Sequence, residues 1–286
     1  EICEYYGLPF INLKFPIDER PSLEQIEQIL KENQDIALVY ITHNETGTGI
    51  LNPIREIGAL AHAYGAIFVV DTTSTYAMRP INIKNDNIDF CMASAQKGLM
   101  AMTGISFVVG KRTIIEQSKT YPKRSYYCNL YMQYHYFEAH GEMHFTPPVQ
   151  TVYAMRQAIK EYFAEGEQKK WERHTRVFEA LHKGIERLGF QDMIKRDWQA
   201  GLVVTVKYPD DPNWSFSAIH DYCYKRGFTI YPGKINNTET FRLCALGAID
   251  QSDIETFFEV FEAGLREMEV SLPVHYGLEE ETDERE

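Results

Sequence analysis

The stretch "IALVYIT" (Ile36 to Thr42) is a continuous apolar, partly β-branched run without polar alternation, the pattern of a strand covered on both faces. "NPIREIGALAHAYG" follows with helical spacing. Asn52 is expected as its cap, Pro53 at its first position and Gly65 at its stop. "AIFVVD" is a second buried strand, "IDFCMAS" a third and "GISFVVG" a fourth. Before them, "PSLEQIEQILKEN" sets Leu23, Ile26, Ile29 and Leu30 on one helical face. Strand, helix and strand in this order require parallel neighbours joined by a right-handed crossover. The expected fold class is therefore α/β, with a mostly parallel sheet covered by helices.

From Val149 the texture changes. "VQTVYAMRQAIKEYFAEG" and "EQKKWERHTRVFEALHKGIERLG" are long helical patterns separated near Gly166, and shorter strand and helix patterns follow them: "GLVVTVKY", "SFSAIHDYCYKRG", "FTIYPG", "TFRLCAL" and "DQSDIETFFEVFEAGLREM". At ~100 to 200 residues per domain, the length suggests two unequal domains. The expected division is a large domain over residues 1–148, linking helices and a smaller α+β domain over 149–272, and an acidic tail over 273–286. The whole of that tail is expected to be disordered, since its end, "GLEEETDERE", has almost no apolar content to offset its ordering entropy.

A net charge of −12 argues against an electrostatic grip on nucleic acid or an anionic membrane surface. No apolar stretch approaches the roughly 20 residues of a membrane span. Five scattered cysteines without a C-x-x-C pair suggest neither a disulfide framework nor a zinc site. A small-molecule ligand and a reducing, cytoplasmic setting are expected, with no metal site, nucleic acid or membrane partner.

In open α/β sheets, ligands bind beyond the carboxyl ends of the strands, so polar residues directly after apolar runs carry the functional question. Four places qualify: "THNETGTG" from Thr42, Asp71 with "TTST" behind it, Ser94 with Gln96 and Lys97, and Arg242 inside "TFRLCAL". Each has an ordinary structural explanation. Such an aspartate is often a turn former, such a lysine is more often solvated, a lone arginine is commonly half of an ion pair, and "ETGTG" matches no dinucleotide or P-loop pattern. In combination, a strand-end aspartate and a strand-end lysine are the two residues a pyridoxal phosphate site needs. The lysine forms a Schiff base with the aldehyde, and the aspartate keeps the pyridine nitrogen protonated so that the ring accepts electrons. A lysine so used must give up its proton, and burial favours that.

From about Ile36 to about Phe258 the sequence also resembles the class V (fold type I) pyridoxal-phosphate aminotransferases. "ETGTGILNPIREIG" is similar to that family's "ETTTGILNP", "VVDTTST" to its "VDAMSS" and "ASAQKG" to its lysine motif. "HFTPPVQTVYAMRQAI", "HDYCYKRGFTIYPGK" and "TFRLCALGAID" resemble later blocks. "YKRGFTIYPGK" favours the branch that moves the amino group of 2-aminoethylphosphonate to pyruvate over the alanine:glyoxylate or serine:pyruvate type.

The resemblance implies the three-layer fold type I architecture, a homodimer, amine and 2-oxo acid substrates, and pyridoxal 5′-phosphate as cofactor. It implies Lys97 as the Schiff-base lysine, Asp71 as partner of the pyridine nitrogen, Thr46 as a donor to the cofactor ring and Thr73 against the ring face. Gln96 and Thr146 are implied phosphate ligands, Thr146 from the other subunit. Arg242 matches the arginine that binds the substrate carboxylate, a task suited to a guanidinium fork. Lys234 and Arg124 are further candidates for anionic substrate charge.

Gly47 stands where the family has a threonine, and "TTSTYAMRP" lacks the family's "SSFG", so the substrate surroundings differ. Family members also carry, before the position of Glu1, a Ser/Gly-rich loop that holds the cofactor phosphate at a helix N-terminus. A fragment of a longer protein is the expectation. The alternative from another class is a non-catalytic scaffold that keeps the transferase shape.

Overall fold

The computed structural model describes residues 1–233 and 238–277, which fall into two compact units. The first comprises Glu1–His43 with Asn52–Glu167, and the second Asn44–Leu51 with the described residues from Gln168 onward. The change in texture at Val149 therefore marks longer helices and not the boundary between units.

The first unit runs α1 (Ile2–Tyr5), α2 (Leu23–Glu32), β1 (Leu38–Thr42), α3 (Ile54–Ala63), β2 (Ile67–Asp71), β3 (Phe90–Ser94), β4 (Ser106–Gly110), α4 (Arg112–Gln117), α5 (Leu130–His140) and α6 (Val149–Glu165). Its sheet has the order β1-β2-β3-β4, with the first two pairings parallel and β3 antiparallel to β4. The expected mostly parallel sheet is present. The core joins Ile26 and Leu30 of α2, Ile54 and Ile57 of α3, and Phe68 and Val70 of β2. Ser22 caps α2 by accepting from Gln25 N, and Gly65, at φ 78°, ends the turn after α3 as its sequence position suggested.

Two expectations fail here. β1 and β4 are not covered on both faces, since Tyr40 is 54% and Val108 41% exposed at the two ends of the strand order. A continuous apolar run signals apolar side chains on both faces, not which neighbours cover them. Asn52 does not cap α3 either. Its Nδ2 donates to Thr42 O at 2.7 Å and its N to His43 O at 2.8 Å, tying the helix entry to the end of β1. The N-cap position falls to Pro53, which makes no side-chain bond.

The second unit runs α7 (Glu167–Arg187, its first residue belonging to the first unit), β5 (Val203–Lys207), α8 (Phe216–Tyr224), β6 (Tyr231–Pro232), β7 (Thr240–Cys244) and α9 (Gln251–Glu267). Its antiparallel sheet has the order β5-β7-β6. The run "FTIYPG" pairs over only two residues, Tyr231 and Pro232, with Gly233 N donating to Thr240 O at 2.8 Å just beyond them. Phe241 and Leu243 of β7, Ile219 of α8, and Phe257, Phe261 and Leu265 of α9 pack into one core with α7. Asp250 and Asp253 form a capping box at the start of α9.

Residues 273–277, expected to be disordered with the acidic tail, instead pack on this unit because Val274 is buried: Val274 N donates to Leu188 O at 2.8 Å, and Tyr276 Oη to Lys207 O at 3.0 Å. The rest of the tail, 278–286, lies outside the described residues. No described helix is long and apolar enough to cross a membrane.

Gly184 on α7 sits where a Cβ would lie 2.1 Å from Cε2 of the Phe258 ring. Gly184→Ala is expected to cost about 1–3 kcal/mol by overpacking. A urea titration checks this through a lowered midpoint with unchanged slope.

Candidate active site

Parallel pairing sets Thr42 of β1 beside Asp71 of β2, and Asp71 beside Met92 of β3, so the carboxyl ends of three strands form one edge. Asp71 ends the middle of these three strands. Thr73 N donates to its Oδ1 at 2.8 Å, while Oδ2 lies 3.5 Å from Tyr40 Oη. One carboxylate oxygen is thus firmly held and the other only weakly engaged.

Past the end of β3 the chain turns tightly. Ala95 N donates to Ile105 O at 3.0 Å, Met100 N to Lys97 O at 2.9 Å and Ala101 N to Ala95 O at 3.0 Å. Gly98 is required in this turn, because a Cβ there would lie 2.0 Å from Tyr76 O and 2.6 Å from Met78 Cγ. The turn bearing Lys97 therefore rests on the segment that follows Asp71, and the structure brings these two expected residues to the same edge. Contrary to the expected burial, Lys97 is exposed in this chain, because it lies in the turn beyond the strand end and not beneath the sheet. Gln96 is exposed beside it. Ser94 Oγ, at the end of β3, is buried without a hydrogen-bond partner among the described residues. Thr146 is exposed in the segment leading to α6.

The local scaffold of Asp71 includes a residue the motif comparison overlooked. His43 N donates to Asp71 O at 2.8 Å, and its buried ring places Nδ1 3.0 Å from Thr75 Oγ1. Thr75 N in turn donates to Thr72 O at 2.9 Å, and Thr72 Oγ1 to Met92 O at 2.9 Å. His43 thereby links the end of β1 to the turn that carries Asp71 and Thr73. Its place, directly after an apolar run, was the available sequence signal.

Thr46 and Arg242, by contrast, belong to the second unit. Arg242 sits on the central strand β7, paired with Thr205 on one side and Tyr231 on the other. It is 8% exposed, and it donates from Nε to Pro232 O and from Nη1 to Thr46 O, each at 3.1 Å. Its guanidinium lies 5.9 Å from the Tyr231 ring centroid. No carboxylate pairs with it among the described residues, so the ordinary ion-pair explanation does not hold. Nη2 has no acceptor among the described residues. Arg124 is exposed and donates to Tyr6 O, and Lys234 lies outside the described residues.

This donor set fits pyridoxal phosphate: a held carboxylate at a strand end, an exposed lysine on the adjoining turn, and a buried hydroxyl nearby that has no partner among the described residues.

Comparison with known proteins agrees. The aminotransferase class-V family model matches residues 2–229. A 2-aminoethylphosphonate–pyruvate transaminase of Cupriavidus pinatubonensis is 33% identical over 95% of this chain and 72% of its own length. One of Lysinibacillus sphaericus is 32% identical over 92% of this chain and 71% of its own. The crystal structure of a ureidoglycine–glyoxylate aminotransferase from Bacillus subtilis shares the fold at a TM-score of 0.85, with 21% identity over 95% of this chain and 70% of that one. The shared fold, together with the family match, sets the chain among the pyridoxal-phosphate-dependent transferases of fold type I. The chain belongs to the class-V aminotransferase family.

His43 also makes a pH prediction. Burial, and then the Arg79 charge, push its imidazole from the ordinary 6.5 down to about 4, against the opposing pull of Asp86. Between those values the unfolded chain binds a proton that the folded chain refuses, so this contribution is complete above pH 6.5 and is lost as pH falls toward 4. The loss amounts to about 3 kcal/mol. Urea midpoints at neutral and acidic pH should show a smaller acid loss in His43→Gln than in the wild type. Parallel losses would contradict this assignment.

Proposed function

We propose that the protein moves the amino group of 2-aminoethylphosphonate to pyruvate, giving phosphonoacetaldehyde and alanine. Arg242 carries the reading: a guanidinium on the central strand of its sheet, 8% exposed and held by two carbonyls, has no counter-charge among the described residues. Burying such a charge unpaired is costly, and an anionic substrate group relieves the cost. The first substrate carries a phosphonate and the second a carboxylate. Nη2 of Arg242 can donate to either. The relatives' names supply the particular pair of substrates.

Pyridoxal phosphate supplies an aldehyde that condenses with amines and a ring that accepts the electron pair of a carbanion. Lys97 would hold the cofactor through Nζ in this reading, and as a free amine the same Nζ would accept the proton from the amine-bearing substrate carbon. Asp71 holds a proton on the ring nitrogen through the carboxylate that Thr73 N orients. Thr73 would flank the ring and Thr46 would donate to it. Gln96 and Thr146 bind the phosphate, Thr146 from the partner subunit of a homodimer; both are exposed in the single chain, as that role requires.

Steady-state kinetics with 2-aminoethylphosphonate, alanine and serine as amine donors test the assignment. The phosphonate amine is expected to give the highest kcat/KM, and Arg242→Ala should lower kcat/KM for both it and pyruvate by at least about tenfold. Preference for alanine or serine would move the protein to the alanine:glyoxylate or serine:pyruvate type. Unchanged rates in Arg242→Ala would remove that residue from the substrate site.

A further inference from the structure

The proposed reaction leaves unused a buried polar cluster in the second unit. His182 of α7 is 1% exposed and Gln199 7%. The imidazole Nδ1 lies 3.1 Å from Asp192 Oδ2, and Nε2 lies 3.2 Å from Gln199 Oε1. Gln199 Nε2 donates to Asp192 Oδ2 and to Ile194 O, both at 2.8 Å. A carboxylate and a backbone carbonyl only accept, so the amide cannot be reversed. Its NH2 must face them, and its oxygen must face the imidazole. All the polar atoms of the Gln199 side chain are thus engaged, and the edge of the Phe178 ring closes over His182 at a centroid distance of 4.5 Å.

The backbone around Gln199 has a second task. Gln199 forms an antiparallel bridge with Ile50, Leu51 N donates to Trp198 O at 2.8 Å, and Ala200 N donates to Gly49 O at 2.9 Å. Three consecutive residues therefore grip Gly49–Leu51. The approach is close: at Gly49, with φ 91°, a Cβ would lie 2.5 Å from Val203 O. Further along the same segment, Thr205 Oγ1 donates to Gly47 O and Arg242 Nη1 to Thr46 O, each at 3.1 Å. The Thr46 carbonyl is one of the two acceptors that orient the guanidinium, so its position depends on how the segment is held.

We propose that His182, Asp192 and Gln199 are positioning residues for substrate binding: by clamping the Gln199 side chain they fix residues 198–200, hence Asn44–Leu51, hence the Thr46 carbonyl that aims Arg242. The inference rests on the assignment of Arg242 to the substrate anion. The Asp192 side chain is 19% exposed and its Oδ1 has no partner among the described residues, but every amide hydrogen bond of the buried Gln199 is made, so swinging Gln199 out would strand several polar groups at once. Rigidity matters because an anion clamp displaced by ~1 Å can lose about a hundredfold in rate.

Gln199→Leu keeps most of the side-chain volume and removes every amide hydrogen bond. His182→Gln removes only the imidazole contacts. Both are compared with Arg242→Ala in the cofactor-loaded protein, by steady-state kinetics, by the visible absorbance of the bound cofactor and by cofactor titration. The expected result for Gln199→Leu is a KM raised about tenfold for pyruvate and for the amine, with cofactor affinity and absorbance unchanged; His182→Gln should shift KM the same way by less. Wild-type KM values in both variants, beside a raised KM in Arg242→Ala, would overturn the inference and leave the Arg242 assignment standing. A cofactor affinity that falls together with KM, or failure of both variants to fold, would overturn it by showing a general structural role. An unchanged KM in Arg242→Ala would instead refute the assignment on which the inference rests.

Discussion

The parallel register of β1, β2 and β3 is the constraint on which the proposed cofactor chemistry depends. Side chains alternate along a strand, so a slip of one residue would turn Asp71 to the opposite face of the sheet and bury the wrong partners in its place. Several contacts prevent that slip. Asp89, just before β3, accepts from Phe68 N at 2.7 Å, from His62 Nε2 at 2.9 Å and from Lys111 Nζ at 2.5 Å, which fixes the start of β3 against β2 and the end of β4. At the other end of the strands, His43, Thr72 and Thr75 tie β1, β2 and β3 together beside Asp71. Gly98 then lets the Lys97 turn settle on the segment after Asp71.

In the proposed reaction the second unit has a different task, that of holding a nearly buried cation ready for an anion. A guanidinium can be oriented without being neutralised when its acceptors are carbonyls, and Arg242 uses Pro232 O and Thr46 O in this way. A carboxylate partner would orient it as well but would compete with the substrate. One of those carbonyls comes from Asn44–Leu51, a segment distant in sequence from the rest of its unit. Substrate binding in the proposed reaction thus depends on a strap held by backbone bonds to residues 198–200.

Much of this was legible in the sequence because apolar runs ending in polar residues report strand ends directly. "AIFVVD" and "IDFCMAS" marked the middle strands, and the polar residues behind them included Asp71, Thr73, Gln96 and Lys97. Pairing partners were not legible. Nothing local to "ETGTG" says that it joins residues 198–205, nothing local to "IALVYIT" says that Tyr40 is exposed, and Asn52 looked like a cap because its bond to Thr42 O spans the turn between. The cluster of His182, Asp192 and Gln199 is likewise assembled from three separate places, with no spacing to betray it. His43 was the exception, since it follows a strand run and was open to the same argument as Asp71.

The central claim is that Lys97 is the covalent anchor of the cofactor. Reduction of the pyridoxal-phosphate-loaded protein with borohydride, followed by proteolysis and mass spectrometry of the peptides, tests it directly. The account predicts a phosphopyridoxyl group on Lys97. The same group on any other lysine, with Lys97 unmodified, would contradict it.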